Sequence, residues 1–293
     1  MVNSSKNNSS HIQQFAFKQG LTQEFEIADL CELYKNSHSL LTVPHRTEFY
    51  HILWCLENES IHQIDFSPVA TKPGSVIFIH KDMVKQFNDK NTGKGKMILF
   101  TDTFFSTQQQ HIQFLNTTAL FNDFFRVAQI DNTNENITTI LRQIEHEYSQ
   151  IFDHHKPVIL QNLLHNLLMQ CEREYRKNHM QIITHGIELN TLVSFKHLLE
   201  KHYQKTKLVS FYASMLNITE KKLAQYTLKT VGKTPKDIIN ERVILEAKRL
   251  LAHTHLNIKE IGFQLGFDEP TNFVKFFKKQ ESILPGAFRE QYI

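Results

Sequence analysis

The 293-residue chain has three cysteines, Cys31, Cys55 and Cys171, which are odd in number, widely spaced and form no C-x-x-C pair. That argues against a disulfide framework and a thiolate zinc site, and it fits a reducing compartment. No apolar run approaches the ~18 uninterrupted residues a membrane span needs. Met1 to Ser10 is rich in Asn and Ser and has no apolar core, so no secretory leader is expected. The chain also lacks a phosphate-cradling glycine loop, a nucleophile elbow and a Ser/His/Asp pattern. No catalytic residue is assigned, an enzyme is not expected, and the protein is placed in the cytoplasm with a short disordered tail over residues 1–14. Net charge is scarce too, at +3, but it is unevenly spread. Residues 191–293 carry 17 Lys and Arg against 10 Asp and Glu, a net of +7, and residues 1–190 carry 16 against 20, a net of −4. A basic end beside an acidic one suits a polyanion-binding module joined to a part with another task.

The length accommodates two domains, each with its own core. Between about Phe15 and Phe105 lie short apolar segments broken by turn signals. Phe49 to Trp54 is one; Ser75 to Ile79 follows Lys72-Pro73-Gly74, and Met97 to Phe100 follows Gly93-Lys94-Gly95. They predict a small β-barrel or sandwich. Ile137, Ile140, Leu141, Ile144, Tyr148 and Ile151 then recur on one face of a helix. After Pro157, Leu160, Leu163, Leu164, Leu167, Leu168 and Cys171 form a second, broader stripe. That stripe either packs on its own barrel or forms a homodimer contact. Periodicity lapses around Gly186, which marks a linker.

Two segments 49 residues apart share one plan. In the later one, Asn257 can cap a helix carrying Ile258, Ile261 and Leu265, Gly262 is the small residue needed where two helices cross, and Leu265-Gly266-Phe267 makes a turn. Asp268 can cap the next helix, with Phe273, Phe276 and Phe277 facing inward. In the earlier one, Ala213 stands for Gly262, Leu216-Asn217-Ile218 for the turn, and Thr219 caps a helix with Leu223 and Tyr226 inside. Between them, Gly232-Lys233-Thr234-Pro235 ends one helix and starts a long connecting one with Ile238, Ile239, Val243, Leu245, Ala247, Leu250 and Leu251 on its buried side. These are two helix-turn-helix units. Opposite the buried residues, the first recognition helix offers Lys221, Ala224 and Gln225, with Lys222 and Lys229 further round, and the second offers Thr271, Asn272 and Lys275, with Lys278 and Lys279 near its end. Gln and Asn can bond adenine edges, Lys can bond guanine O6 and N7, and Ala or Thr can meet a thymine methyl. These ten residues are the candidate DNA contacts, and double-stranded DNA is the expected partner.

From Leu192 to Arg289 the chain resembles the AraC/XylS family of bacterial transcription regulators. The resemblance is carried by Gly232-Lys233-Thr234-Pro235, Ile239-Asn240-Glu241-Arg242, Glu246 to Leu251, Ile258 to Phe267, Phe273, Phe276 to Lys279, Pro285 and Phe288-Arg289. It implies that Lys221, Lys222, Ala224, Gln225, Lys229, Thr271, Asn272 and Lys275 occupy base-facing positions, whereas Lys278 and Lys279 either contact phosphate or offset the helix dipole. Ser282 departs from the family's usual Gly and Leu284 from its usual Ser or Thr. Pro44 to Phe49, the turn at Lys72 to Ser75 and the strand around Ile98 resemble the cupin-like barrel of many such regulators. Metal-binding cupins supply an H-x-H pair, but here Thr47 holds the second position and His45, His51 and His80 fall on scattered offsets, so no metal or other cofactor is expected. The expected architecture is α+β and multidomain: a cupin-like sensor barrel over 15–130, a helical dimerisation or packing segment over 131–180, a linker over 181–190, and an all-α tandem helix-turn-helix domain over 191–293. A small-molecule effector is expected in a cavity lined by Phe49, Trp54 and Phe78 with His45 at its mouth, with RNA polymerase and a second copy of the chain as further partners. The rivals are a metal-dependent cupin enzyme carrying a DNA-targeting module and a ligand-independent regulator controlled by a protein partner.

Overall fold

The computed structural model describes residues 3–4, 12–17, 23–88, 94–106, 108–122, 127–131, 133–179 and 187–292. Most of the expected tail and residues 181–186 of the expected linker lie outside these. The chain divides into two units, chiefly 13–181 and 182–293. No helix among the described residues is long and apolar enough to cross a membrane.

The first unit opens with β1 (Asn3–Ser4), β2 (Gln13–Ala16), β3 (Phe25–Asp29), α1 (Leu30–Leu41), β4 (His45–Thr47), β5 (Tyr50–Cys55), β6 (Ser60–Ile64) and β7 (Ser67–Thr71). It continues with β8 (Val76–Ile79), β9 (Lys85–Gln86), β10 (Gly95–Phe100), α2 (Asp102–Phe105), α3 (Gln109–Thr117), α4 (Ala119–Asn122), β11 (Ala128–Ile130), α5 (Glu135–Ser149) and α6 (Lys156–His179). The strands form two ladders, β1-β2-β4-β9-β6-β7 and β11-β8-β5-β10-β3, and among the described residues these do not join into one cylinder. The three apolar runs of the sequence are β5, β8 and β10, adjacent in the second sheet.

That sheet has two cores. Every residue of β5 is buried, as is every residue of β8, so the pleat of these strands sends alternate side chains into different interiors. Leu53, Cys55, Ile77, Ile79, Met97 and Leu99 meet Ile64, Val69 and Phe87 from the first sheet's side of the sandwich. Tyr50, Ile52, Trp54, Val76, Phe78, Ile98 and Phe100 meet the helices that follow.

Those helices explain the leucine stripe. Leu160, Leu164, Leu167, Leu168 and Cys171 have no exposed surface and join the helix-side core, with Leu163 partly buried against it. The stripe therefore covers its own sheet, each leucine contributing roughly 1.5 to 3 kcal/mol by burial, and it is not a free dimer surface. Lys156 Nζ donates to the Tyr148 and Gln150 carbonyls at 2.7 and 2.5 Å and so closes the end of α5. Ile151, expected on the α5 face, lies beyond that helix and is 93% exposed. The short helices α1 to α4 have no periodic signature long enough to announce them.

The second unit contains α7 (Ile187–His202), α8 (Val209–Met215), α9 (Glu220–Val231), α10 (Pro235–His253), α11 (Ile258–Gln264), α12 (Pro270–Glu281) and α13 (Pro285–Arg289). Helix α10 begins with a capping box, in which Thr234 and Asp237 satisfy each other's backbone N–H groups. It buries Ile238, Ile239, Val243, Ala247, Leu250 and Leu251 as expected, with Ile244 rather than Leu245 completing the set. It also buries charge. Arg242 donates twice to Glu200 of α7, at 2.9 and 2.8 Å, and once to Glu246, and its guanidinium lies 4.0 Å from the centre of the Tyr203 ring. Burial opposes the Arg242 charge, but Glu200 and Glu246 outweigh it and hold the group more firmly protonated.

Candidate nucleic-acid interface

The two helix-turn-helix units repeat at the level of individual hydrogen bonds. In the first, Ile218 N donates to Ala213 O at 3.0 Å; 49 residues on, Phe267 N donates to Gly262 O at 3.0 Å. Asn217 and Gly266 occupy matching left-handed positions, with φ of 54° and 73°. Tyr212 with Ala213, and Ile261 with Gly262, are the buried pairs at the two crossings. A Cβ on Gly262 would sit 3.1 Å from Phe273 Cβ, so α12 packs tightly against α11 at this crossing and Phe273 would have to give way by a few tenths of an ångström to admit a larger residue.

After the turn the repeat lengthens by one residue. Helix α9 starts at Glu220 and α12 at Pro270, an offset of 50. Thr219 accepts from Lys222 N at 3.2 Å as expected, but the residue capping α12 is Glu269, with no side-chain cap bond, and Asp268 lies one place too early. With the offset at 50, Leu223 and Thr227 align with Phe273 and Phe277, all four fully buried.

The outward residues align as well. Lys221, Lys222, Gln225 and Lys229 are exposed on α9; Thr271, Asn272, Lys275, Lys278 and Lys279 are exposed on α12. Ala224 is half-buried, so its methyl is only partly offered. Lys229 is paired with Glu188 of α7 at 3.0 Å, and Lys222 lies 5.7 Å from the Tyr226 ring centre. The structure thus brings Lys221 and Gln225 together on one helix face, and Thr271, Asn272 and Lys275 on another.

A clamp between the two helix-turn-helix units is not announced by the sequence. Lys207, in the loop between α7 and α8, donates to Leu265 O and Gly266 O at 2.6 and 2.9 Å, and its Nζ lies 4.3 Å from the Phe267 ring centre. A cation at the end of α11 answers carbonyls left without helical partners. Burial, and then Lys236, push the Lys207 pKa down, while Asp268 opposes them. Gly266 approaches so closely that a Cβ there would overlap Gln204 O. Nothing local in the sequence signals a contact between residues 58 apart.

Two helix-turn-helix units with polar outer faces, joined by one buried helix, define a DNA-binding domain. A helix-turn-helix domain family matches residues 212–291. The chain is 22% identical over 185 residues to the lactose operon transcription activator of Staphylococcus xylosus, covering 63% of this chain and 64% of that protein. It is 21% identical over 255 residues to the transcriptional activator RhaS of Klebsiella pneumoniae, covering 84% of this chain and 87% of that one. It spans less than two thirds of the Staphylococcus activator's length. The ToxT structure from Vibrio cholerae overlies 92% of this chain and 99% of its own at 13% identity with a TM-score of 0.44, too loose a likeness to argue from. The helix-turn-helix family match over residues 212–291 and the similarity to these transcription activators agree with the resemblance carried by the chain's own motifs.

The expected ligand residues are not assembled. Phe49 belongs to the core between the sheets, whereas Trp54 and Phe78 belong to the helix-side core, across the full thickness of the second sheet. His45 is 3% exposed and faces the sandwich, with its Nδ1 2.9 Å from Val43 O. A cavity lined by Phe49, Trp54 and Phe78 together is therefore replaced by two separate interiors. Among the described residues no group of three or more His, Cys, Asp or Glu side chains is placed to hold a metal ion.

Proposed function

We propose that the protein is a sequence-specific transcription regulator that reads an asymmetric DNA site with two unlike recognition helices, under the control of a small molecule held in its N-terminal unit. The observation that carries this reading is the pair of equivalent outer faces: Lys221 and Gln225 on α9 against Thr271, Asn272 and Lys275 on α12. Helix α10 has 19 residues and is about 28 Å long at ~1.5 Å per residue, which is commensurate with neighbouring major-groove segments ~34 Å apart. A homodimer would pair two such sites, through a surface other than the leucine stripe. RNA polymerase is the further partner of this reading, and no catalysis is assigned to the protein.

Selection of bound sequences from a randomised duplex pool tests it. The expected result is two specified segments about one helical turn apart that differ from each other. Binding with a steep salt dependence and no enriched sequence would reduce the protein to a non-specific polyanion binder.

A further inference from the structure

In sequence, the two helix-turn-helix units are joined only through α10 and the short turns at its ends. The structure adds a second attachment through the loop between α7 and α8. Tyr203, where that loop begins, is buried against the Arg242 guanidinium of α10, and the Tyr212 hydroxyl of α8 donates to Thr206 O at 2.9 Å. Lys236, in the first turn of α10, donates to Lys207 O at 3.0 Å. The loop is thus tied by its backbone and its first ring to the first unit and to α10. Its other contacts reach the turn of the second unit, where Gln204 O lies against Gly266 and Lys207 Nζ holds the Leu265 and Gly266 carbonyls. Two of the three N–H groups of the ammonium are used there, and its charge faces the Phe267 ring, so Lys207 has little left to offer a phosphate.

Helices α11, α12 and α13 also lie against α10. Apolar contact of that kind resists separation but is non-directional, so it sets the angle of the second unit about α10 less sharply than directed hydrogen bonds do. The Lys207 contacts supply that direction from a point off the helix axis. The angle matters on DNA. Each base pair advances the duplex by ~3.4 Å and turns it by roughly 35°. Two recognition helices at a fixed angle therefore fit segments at one spacing, whereas loosely held helices follow several spacings and bind each less tightly, because DNA must then order them.

We propose that Lys207 is a positioning residue for DNA recognition: by clasping the Leu265 and Gly266 carbonyls it locks the angle between α9 and α12 and so restricts the protein to sites whose two segments lie at one spacing. Lys207 lies on neither recognition helix and acts through the turn that leads into α12. Gly266 is its counterpart, since only a residue without a Cβ lets Gln204 O approach this closely. This role rests on the reading of α9 and α12 as two recognition helices that bind one site together.

The test measures the affinity of the full chain for duplexes that carry the two selected segments at their selected spacing, with one base pair added or removed between them, or with either segment scrambled. The wild type should prefer the selected spacing by roughly tenfold over either altered one. Lys207→Met keeps the length of the side chain and removes its N–H groups and charge. It should weaken binding at the selected spacing about five- to tenfold, leave the altered spacings within about twofold, and so erase most of the preference. Affinity for the single-segment duplexes should stay within about twofold of the wild type, because each recognition helix is intact. Lys207→Arg, which can donate to both carbonyls, should keep the preference for spacing. A spacing preference that survives in Lys207→Met, or one that Lys207→Arg loses to the same degree, would overturn the proposal. So would a loss in Lys207→Met that is equal at every spacing and on the single segments, the mark of a phosphate contact or a weakened fold. A wild type that binds both segments at any spacing would overturn the lock and leave the two-helix reading standing, whereas one that binds a single segment would overturn that reading itself.

Discussion

The two units handle basic side chains in opposite ways. On α9 and α12 the lysines stand in solvent, where they cost little to keep charged and can meet a polyanion. In the sandwich, Lys85 and three histidines are shut inside. Among the described residues, the enclosed polar groups of the C-terminal unit are threonines, the paired Glu246 and Arg249 and the largely enclosed Arg242, with no buried histidine. One unit therefore offers exposed lysines as a reading surface and the other encloses titratable histidines, and the conditions that stress each should differ.

Acid should separate them most strongly. Burial, with the Lys85 charge, pushes His45 down to about 3; burial alone takes His62 down to about 4, and His51 is lowered by burial and then by Lys85. Folded-state values below the unfolded value near ~6.5 mean that the unfolded chain takes up the extra protons. The stability of the first unit is whole above about pH 6.5 and falls as pH drops towards 4, by roughly 1.4 kcal/mol per pH unit for each ring. Urea melts followed at Trp54 should lose several kcal/mol between pH 6.5 and 5, while the helical signal of the second unit changes much less. Trp54 melts that superimpose over that range would remove the contrast.

Within the second unit, its two left-handed glycines make the next comparison. Gly266→Ala would force a Cβ into Gln204 O, whereas Gly232→Ala, at φ 69°, meets open space. The first should cost about 3 kcal/mol or more and the second about 1 kcal/mol. Equal losses in denaturant titration would mean that the clamp between the helix-turn-helix units is not formed. Ser282, with φ 63° at the end of α12, stands where glycine would be free of strain, so Ser282→Gly should gain roughly 0.5 to 1 kcal/mol. The smallest effect belongs to Lys278, exposed in the last turn of α12. Lys278→Ala should lower the salt slope of DNA binding by about 1 and leave sequence preference intact.

What the sequence disclosed follows from how local each signal is. Capping by Thr219 and Asn257, the small residues Ala213 and Gly262 and the inward Phe273 and Phe277 lie within a few residues of one another, and so the repeat could be read directly. The single added residue before α12 changed no periodicity, and it moved the cap from Asp268 to Glu269. In β5 the alternation that would reveal a face is absent because both faces are buried, so Trp54 could not be told from Phe49. His45, Thr47 and Lys85 come together only through the pairing of β4 with β9, which the turns between them do not encode. The leucine stripe announced its helix but not which surface would cover it.

The inequality of the two recognition helices is tested most directly by the affinity of wild type, Gln225→Ala and Lys275→Ala for a selected site and for every single base-pair change in it. Each variant should lose about 1 to 3 kcal/mol of discrimination at one or two base pairs, Gln225 in one segment and Lys275 in the other, about one helical turn apart. Losses at the same base pairs for both variants, or uniform weakening with the preference untouched, would contradict it.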